Sequence, residues 1–343
     1  MLDSVSGLLS QELAIDLGTS NTLYCLPGRG DICREPTVVA FREDDRGARV
    51  TLAVGTEARA MLGRAPSAVR VVRPLRDGVI ADFQATEELL RYLLLRALGR
   101  KPLVGPRAVI CIPFGTTEVE KRAVRECAES AGVRTVQLME QPLAAALGAG
   151  LPLAAPTGNM VVDVGGGTTE VAVISLGGIV HSKTIPAGGD HMDAAIMRWV
   201  EAEHGLLIGP CTAEEVKQRV GGASAGARQA SIAVAGRDVE RGFPRRVTLR
   251  SAEVVQALAP IVDEIVAAIV ATLERTPPEL ASDIVDTGIL LTGGGALLSG
   301  LDETIGERTQ LPVVLAEDPF STVVQGAAIA LGRSEELGGL FID

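Results

Sequence analysis

Two short stretches of the chain combine residue types that could do chemistry. Leu13 to Leu26 reads LAIDLGTSNTLYCL, and Asn159 to Leu176 reads NMVVDVGGGTTEVAVISL. Each sets an aspartate, Asp16 or Asp163, at the end of an apolar run, then a glycine two residues on, then threonine. Glycine lets a backbone approach a ligand closely and aim N–H groups at phosphate oxygens. The hydroxyls of Thr19, Ser20, Thr168 and Thr169 could add donors. Two carboxylates at matching strand ends can hold a hydrated Mg²⁺. The glycines would also serve plain tight turns, with the aspartates as turn residues. Recurrence of the pattern in two halves, with a third glycine turn at LLTGGGALLSGL (Leu290 to Leu301), favours phosphate binding.

Two common phosphate loops are excluded. A Walker A loop needs GxxxxGK[ST], and no such string occurs. A Rossmann fingerprint needs GxGxxG opening a helix. Here GGGTTEVAVI runs into an alternating strand pattern, and GGGALLSG lacks the last glycine at the required spacing. What remains is a pair of strand–turn–strand hairpins, one from each half, gripping a phosphate chain.

The elements that must position these turns are legible in part. Leu13–Leu26 and Met160–Ile174 read as strand, tight turn, strand. Thr117-x-x-Glu120 is a capping box opening EVEKRAVRECAESA, with Gly132 as its stop. Asp190 is placed to cap HMDAAIMRWVEAEH, ended by Gly205, and Thr212-x-x-Glu215 to cap a helix stopping at Gly221. Ser251 opens an apolar-faced segment to Leu273, interrupted by Pro260. Ser231–Leu249 alternates like a hairpin turning near Gly236, and Gly221–Ala230 reads as a mobile loop. Strands alternating with helices predict an α/β protein with mixed sheets.

The bulk numbers set the class. The chain has 343 residues, 47% hydrophobic and 3% aromatic, enough for a sizeable core and two domains. The net charge of −11 excludes nucleic acid as a main partner. Five cysteines, Cys25, Cys33, Cys111, Cys127 and Cys211, form no CxxC pair and fit reduced, buried thiols of a cytoplasmic protein. His181, His191 and His204 match no metal spacing, and Trp199 reads as helix packing. No apolar run is read as long enough to span a bilayer. The first residues, MLDSVSGLLSQE, lack the basic start of a secretory signal.

From about Glu12 to Ile329 the chain resembles the actin-like ATPase superfamily and, within it, the MreB family of bacterial actin homologues. The likeness is carried by AIDLGTSNTLY, REPTVVA, VGTEARAMLGRAP, RPLRDGVIADF, EQPLAAALGAGLP, MVVDVGGGTTEVAVISLGGIV, AGGDHMDAAI, LIGPCTAEEVK, TPPELASDI, LTGGGALL and LPVVLAEDP. The resemblance implies an actin-like α/β fold: two related domains around a central ATP cleft, each with a mixed sheet and a smaller subdomain. It implies a first large subdomain of residues 1–33, 74–146 and 316–343 carrying a small one at 34–73. It implies a second large subdomain of 147–187 and 250–315 carrying a small one at 188–249.

The resemblance also assigns roles. Asp16 and Asp163 orient Mg²⁺ through waters. Thr19, Ser20 and Asn21 line the first phosphate turn, and Gly165, Gly166, Gly167 and Thr168 the second. Gly188, Gly189 and Asp190 form the turn beside the ribose, Glu214 and Lys217 clamp the adenosine, and Gly293, Gly294, Gly295 and Ala296 lie beneath the adenine of ATP or ADP. One position departs from the family: the residue before the helix proline is usually Glu and here is Gln141, in Glu140-Gln141-Pro142. Glutamine orients water but cannot act as a general base. The expectation is slow, polymerisation-timed ATP hydrolysis, with Gln141, Thr168 and Asp163 at the reacting end. Glu140, read as the neighbouring helical residue, should face about 100° away.

The implied partners are other copies of the chain, in protofilaments paired antiparallel, and membrane proteins of the cell-wall synthesis machinery. The implied location is cytoplasmic, peripheral at the inner membrane. Two segments could meet that membrane. Loop 99–105 pairs Arg100 and Lys101 with Leu103 and Val104, and residues 1–10 space Leu2, Val5, Leu8 and Leu9 as on a helix. The competing readings are a small-molecule kinase, or another repurposed, non-polymerising ATPase of the same fold. A chaperone ATPase would need a separate substrate domain, for which the chain leaves no room after its last apolar helix.

Overall fold

The structure, a computed structural model, describes residues 11–27, 31–44, 47–99, 104–224, 226 and 229–342. It is α/β with mixed sheets, as expected, and divides into two compact units. The first comprises residues 1–156, 174–179 and 320–343, the second residues 157–173 and 180–319.

The first unit is built on a six-stranded sheet in the spatial order Phe341–Ile342, Thr135–Glu140, Arg107–Ile112, Glu12–Leu17, Asn21–Cys25, Ile32–Pro36. The strands Thr135–Glu140, Arg107–Ile112 and Glu12–Leu17 run parallel, and Asn21–Cys25 returns antiparallel beside Glu12–Leu17. Strand alternation sorts the faces. Leu13, Ile15 and Leu17 join a core with Leu89, Leu93, Val124 and Ala128 of the helices Phe83–Leu98 and Glu118–Ala131. Ala14 and Asp16 point the other way. Thr117 caps the second of these helices in a full capping box, and Gly132 ends it with a left-handed φ of 115°. The helices Gln141–Gly148 and Thr322–Gly332 meet backbone to backbone. A Cβ on Gly148 would lie 1.9 Å from the Thr322 carbonyl oxygen, and one on Gly326 would lie 1.8 Å from that of Ala144. A small sheet of Arg49–Val54, Val39–Glu43 and Val69–Val72 completes the unit.

The second unit holds a five-stranded sheet ordered Gly178–Ile185, Thr169–Ser175, Asn159–Val164, Ile289–Thr292, Val313–Leu315, the last three mutually parallel. A second, three-stranded sheet is ordered Leu206–Leu207, Ser231–Asp238, Pro244–Arg250. The hairpin between its long strands turns at residues 239–243, where Gly242 has φ of 73°, and not at Gly236. Gly236 lies inside the strand because Leu206–Leu207 passes so close: a Cβ there would sit 2.3 Å from the Leu207 carbonyl oxygen.

Three helix starts also differ from expectation. The helix Gly189–His204 is capped by Gly188, which puts Asp190 inside the first turn. The helix Pro210–Val220 begins at Gly209-Pro210, because proline is pre-organised for the first helical position, and Thr212 falls within it. Glu140 ends its strand with extended backbone and is not helical.

The helix Ser251–Leu273 runs unbroken through Pro260. Contrary to the sequence reading, it is long and apolar enough by composition to cross a bilayer, with a mean hydropathy of 2.0 in its best window. Leu258, Val262, Ile265 and Ile269 instead pack in this unit's core. The start of the Gly221–Ala230 segment is tied down, with the Ala223 amide donating to the Ser299 carbonyl at 2.9 Å. Cys25, Cys111 and Cys127 are buried, but Cys33 is exposed and Cys211 half-buried.

Candidate phosphate-binding site

In the first unit, the strands on either side of Gly18–Ser20 pair antiparallel, Asp16 opposite Leu23 and Leu17 opposite Thr22. The turn needs glycine, since a Cβ on Gly18 would stand 2.4 Å from the Asn21 carbonyl oxygen. Thr19 is buried, and its Oγ1 accepts a hydrogen bond from the Gly78 amide at 3.0 Å. A hydroxyl has one proton to give. With an acceptor lone pair of Thr19 engaged on Gly78, its O–H is left to donate to another group.

Asp16 lies on the sheet face that carries the helix Gln141–Gly148. Gln141 Nε2 donates to Asp16 Oδ1 at 2.9 Å. Burial pushes the Asp16 carboxyl up to about 6, and the Gln141 donor works against that rise by favouring the charged form. Glu140 is half-buried, and burial raises its carboxyl against the opposing pull of Lys121.

In the second unit, the hairpin closes through the Gly165 amide on the Thr168 carbonyl at 2.8 Å. The helix Gly189–His204 then grips the turn from outside. Gly189 N donates to Gly165 O at 3.0 Å and Asp190 N to Gly166 O at 2.8 Å. Gly188 must be glycine, because a Cβ would lie 2.6 Å from Gly166 O. Thr169 Oγ1 donates to the Ala187 carbonyl. The Gly165 and Gly166 carbonyls are thus spent on the helix. Among the described residues the amides of Gly166, Gly167 and Thr168 have no backbone partner, so they form a donor cluster suited to an anion.

The third glycine turn joins this half-site through strand pairing. Asp163 stands opposite Thr292 in the parallel ladder, so Gly293 follows directly beside it. A Cβ on Gly293 would lie 2.2 Å from Asp163 Oδ1, and its φ of 87° also favours glycine. Gly294, Gly295 and Ala296 continue as a single 3₁₀ turn against Val164.

Lys217 reaches back to the same helix start. Its Nζ is 2.9 Å from Asp193 Oδ1 and donates to the Gly189 carbonyl at 2.7 Å. One of its N–H groups is thereby directed at a carbonyl, and the Asp193 carboxylate stands beside the ammonium as its ion-pair partner. Burial pushes the Asp193 carboxyl up to about 6, opposed by Lys217. Glu214, on the same helix, accepts from Gln218 Nε2 at 3.2 Å.

The first unit therefore gathers Asp16, Thr19, Ser20, Asn21 and Gln141. The second gathers Asp163, Gly165 to Thr168, Gly189, Asp190, Glu214, Lys217 and Gly293 to Ala296. Sequence reasoning missed Gly78 and Asp193. Gly78 sits in RPLRDGVIADF, a segment with no chemistry of its own, and Asp193 in an ordinary amphipathic helix. Among the described residues no group of three or more His, Cys, Asp or Glu gathers to hold a metal. Residues 1–10 and 100–103, most of the segments expected to meet a membrane, lie outside the described residues.

Two α/β units, each with an aspartate-led glycine hairpin on a mixed sheet, define an actin-like protein. The sequence profile of the MreB/Mbl protein matches residues 10–338, and the chain belongs to the MreB/Mbl family. It is 48% identical over 341 residues to the cell shape-determining protein MreB of Escherichia coli K12, covering 99% of this chain and 98% of that one. It is 44% identical over 330 residues to the cell shape-determining protein Mbl of Bacillus subtilis, covering 96% and 98%. The crystal structure of MreB5 of Spiroplasma citri bound to AMPPNP superposes with a TM-score of 0.90 at 34% identity, over 95% of this chain and 97% of that one.

Proposed function

We propose that the chain is an ATP-binding, filament-forming cytoskeletal protein. It assembles as paired protofilaments at the inner membrane and there organises cell-wall synthesis and cell shape, alongside membrane proteins of that machinery. The observation that carries the nucleotide reading is the second turn: the Gly165 and Gly166 carbonyls are tied to the helix Gly189–His204, and the amides of Gly166, Gly167 and Thr168 are left for an anion. The relatives' names, cell shape-determining proteins, and the AMPPNP bound to a structural neighbour support the rest.

The residues fit a magnesium nucleotide. Each unit brings one carboxylate, Asp16 or Asp163, that would take a hydrated Mg²⁺, and the ion would supply charge neutralisation at the phosphates. The Thr19 hydroxyl in the first unit and the amides of Gly166 to Thr168 in the second would bind phosphate oxygens. Lys217, held at the helix start by the Gly189 carbonyl and Asp193, would donate an N–H to the nucleoside, and Glu214 of the same helix would join that contact. Gly293 to Ala296 give the base a flat bed free of side chains up to Ala296. Gln141 spends its amide nitrogen on Asp16, so its carbonyl oxygen is the end that orients a water. A glutamine in this role makes hydrolysis slow.

ATP turnover measured across protein concentrations tests this. Turnover that rises sharply above a threshold supports assembly-coupled hydrolysis. ADP release that appears only with an added sugar or other small acceptor would favour the kinase reading.

A further inference from the structure

Thr37 lies in the short link between the strands Ile32–Pro36 and Val39–Glu43, with no exposed surface. Its contacts converge on the first glycine turn, which lies far from it in sequence. Thr37 Oγ1 donates to the Gly18 carbonyl at 2.7 Å, and Thr37 N donates to the Ser20 carbonyl at 3.0 Å. Thr37 Oγ1 also lies 2.9 Å from Thr22 Oγ1. The Thr37 proton is already committed to Gly18, so Thr22 must be the donor of that pair. The link itself is held from behind, with Val38 N on Pro36 O and Gly55 N on Val38 O, both at 2.9 Å.

A trans peptide points its C=O and N–H in opposite directions. Pinning the Gly18 carbonyl onto Thr37 therefore turns the Thr19 amide to the opposite side of the turn. We propose that Thr37 is a positioning residue for phosphate binding: it holds the turn so that the Thr19 amide and hydroxyl face a phosphate oxygen, and it couples that turn to the small sheet. This rests on the nucleotide reading above. Thr37 never touches the ligand; it acts through Gly18, Ser20 and Thr22.

The test is titration of the purified full chain with a fluorescent ATP analogue and Mg²⁺. Thr37→Val keeps the shape and removes the hydroxyl, leaving the Gly18 carbonyl and the Thr22 hydroxyl unpaired in a buried place. Affinity should fall on the order of tenfold, and Thr37→Ser, which keeps both bonds, should stay within about twofold of wild type. A folded Thr37→Val chain that binds like wild type overturns the proposal. So does Thr37→Ser binding as weakly as Thr37→Val, which would show that keeping the hydroxyl does not preserve binding. If Thr37→Val fails to fold, Thr22→Val takes its place: a loss of about threefold, restored by Thr22→Ser, supports the relay, and no loss overturns it. Failure of the wild-type chain itself to bind would instead overturn the nucleotide reading.

Discussion

Gln141 Nε2 and Asp16 Oδ1 stand 2.9 Å apart in a charge-assisted hydrogen bond that joins the start of a helix to the end of the first strand. The bond gives the glutamine at this position a physical consequence. An acid at residue 141 would face the Asp16 carboxylate with a like charge, whereas the amide donates to it.

The raised Asp16 carboxyl predicts two opposite pH trends. Ionised Asp16 is disfavoured by burial, so its charge costs stability above about 6, and that cost is relieved as pH falls through 6 toward 3.8. Magnesium-nucleotide binding needs the charged form and should weaken about tenfold between pH 7 and pH 5. Asp193 titrates in the same window. An Asp16→Asn chain should therefore bind more weakly at pH 7 and keep only the Asp193 share of the pH slope. Binding titrations at several pH values check both points.

Replacing Gln141 separates its two roles. Gln141→Ala removes a donor to the charged form, so the midpoint of pH-dependent binding should move up. Gln141→Glu puts two carboxyls on one hydrogen bond, and one of them should hold a proton at pH 7. The Glu variant should be less stable at pH 8 than at pH 6, measured by urea unfolding.

The buried pair of Lys217 and Asp193 gives a double-mutant test. Lys217→Met strands a buried carboxyl that is charged in the wild-type pair at pH 8, and should cost about 3 kcal/mol there. Adding Asp193→Asn should recover much of that stability without recovering nucleotide affinity, because the N–H donor is still gone. Chemical denaturation and nucleotide titration of the four chains separate the effects.

The contact between the helices Gln141–Gly148 and Thr322–Gly332 tolerates no side chain. Gly148→Ala would push a methyl to 1.9 Å from the Thr322 carbonyl oxygen. The loss should be about 3 kcal/mol, with some reduction in nucleotide affinity, since this helix also carries Gln141. Unfolding that matches wild type would contradict the packing described.

How much was legible in the sequence depended on whether a signal was local. The two Asp–Gly hairpins were readable because strand, turn and carboxylate all fall within about a dozen residues, as was the Thr117–Glu120 capping box. Gly236 was misread because a lone glycine marks a close backbone approach as readily as a turn. Thr212 had the letters of a capping box, but Gly209-Pro210 upstream started the helix first. Thr37, Gly78 and Asp193 were invisible because their partners lie far along the chain, in another strand's turn or on another helix, and nothing in their own neighbourhoods announces a ligand. The adjacency of Gly293 and Asp163 likewise arises only when the two strands pair.

The central claim is that ATP binding drives this chain to polymerise. High-speed sedimentation of the purified protein over a concentration series, with Mg-ATP and without nucleotide, tests it most directly. A constant soluble concentration, with a pellet growing above that critical concentration only in Mg-ATP, is the expected result. No pellet at any concentration, even with anionic lipid vesicles present, would contradict it.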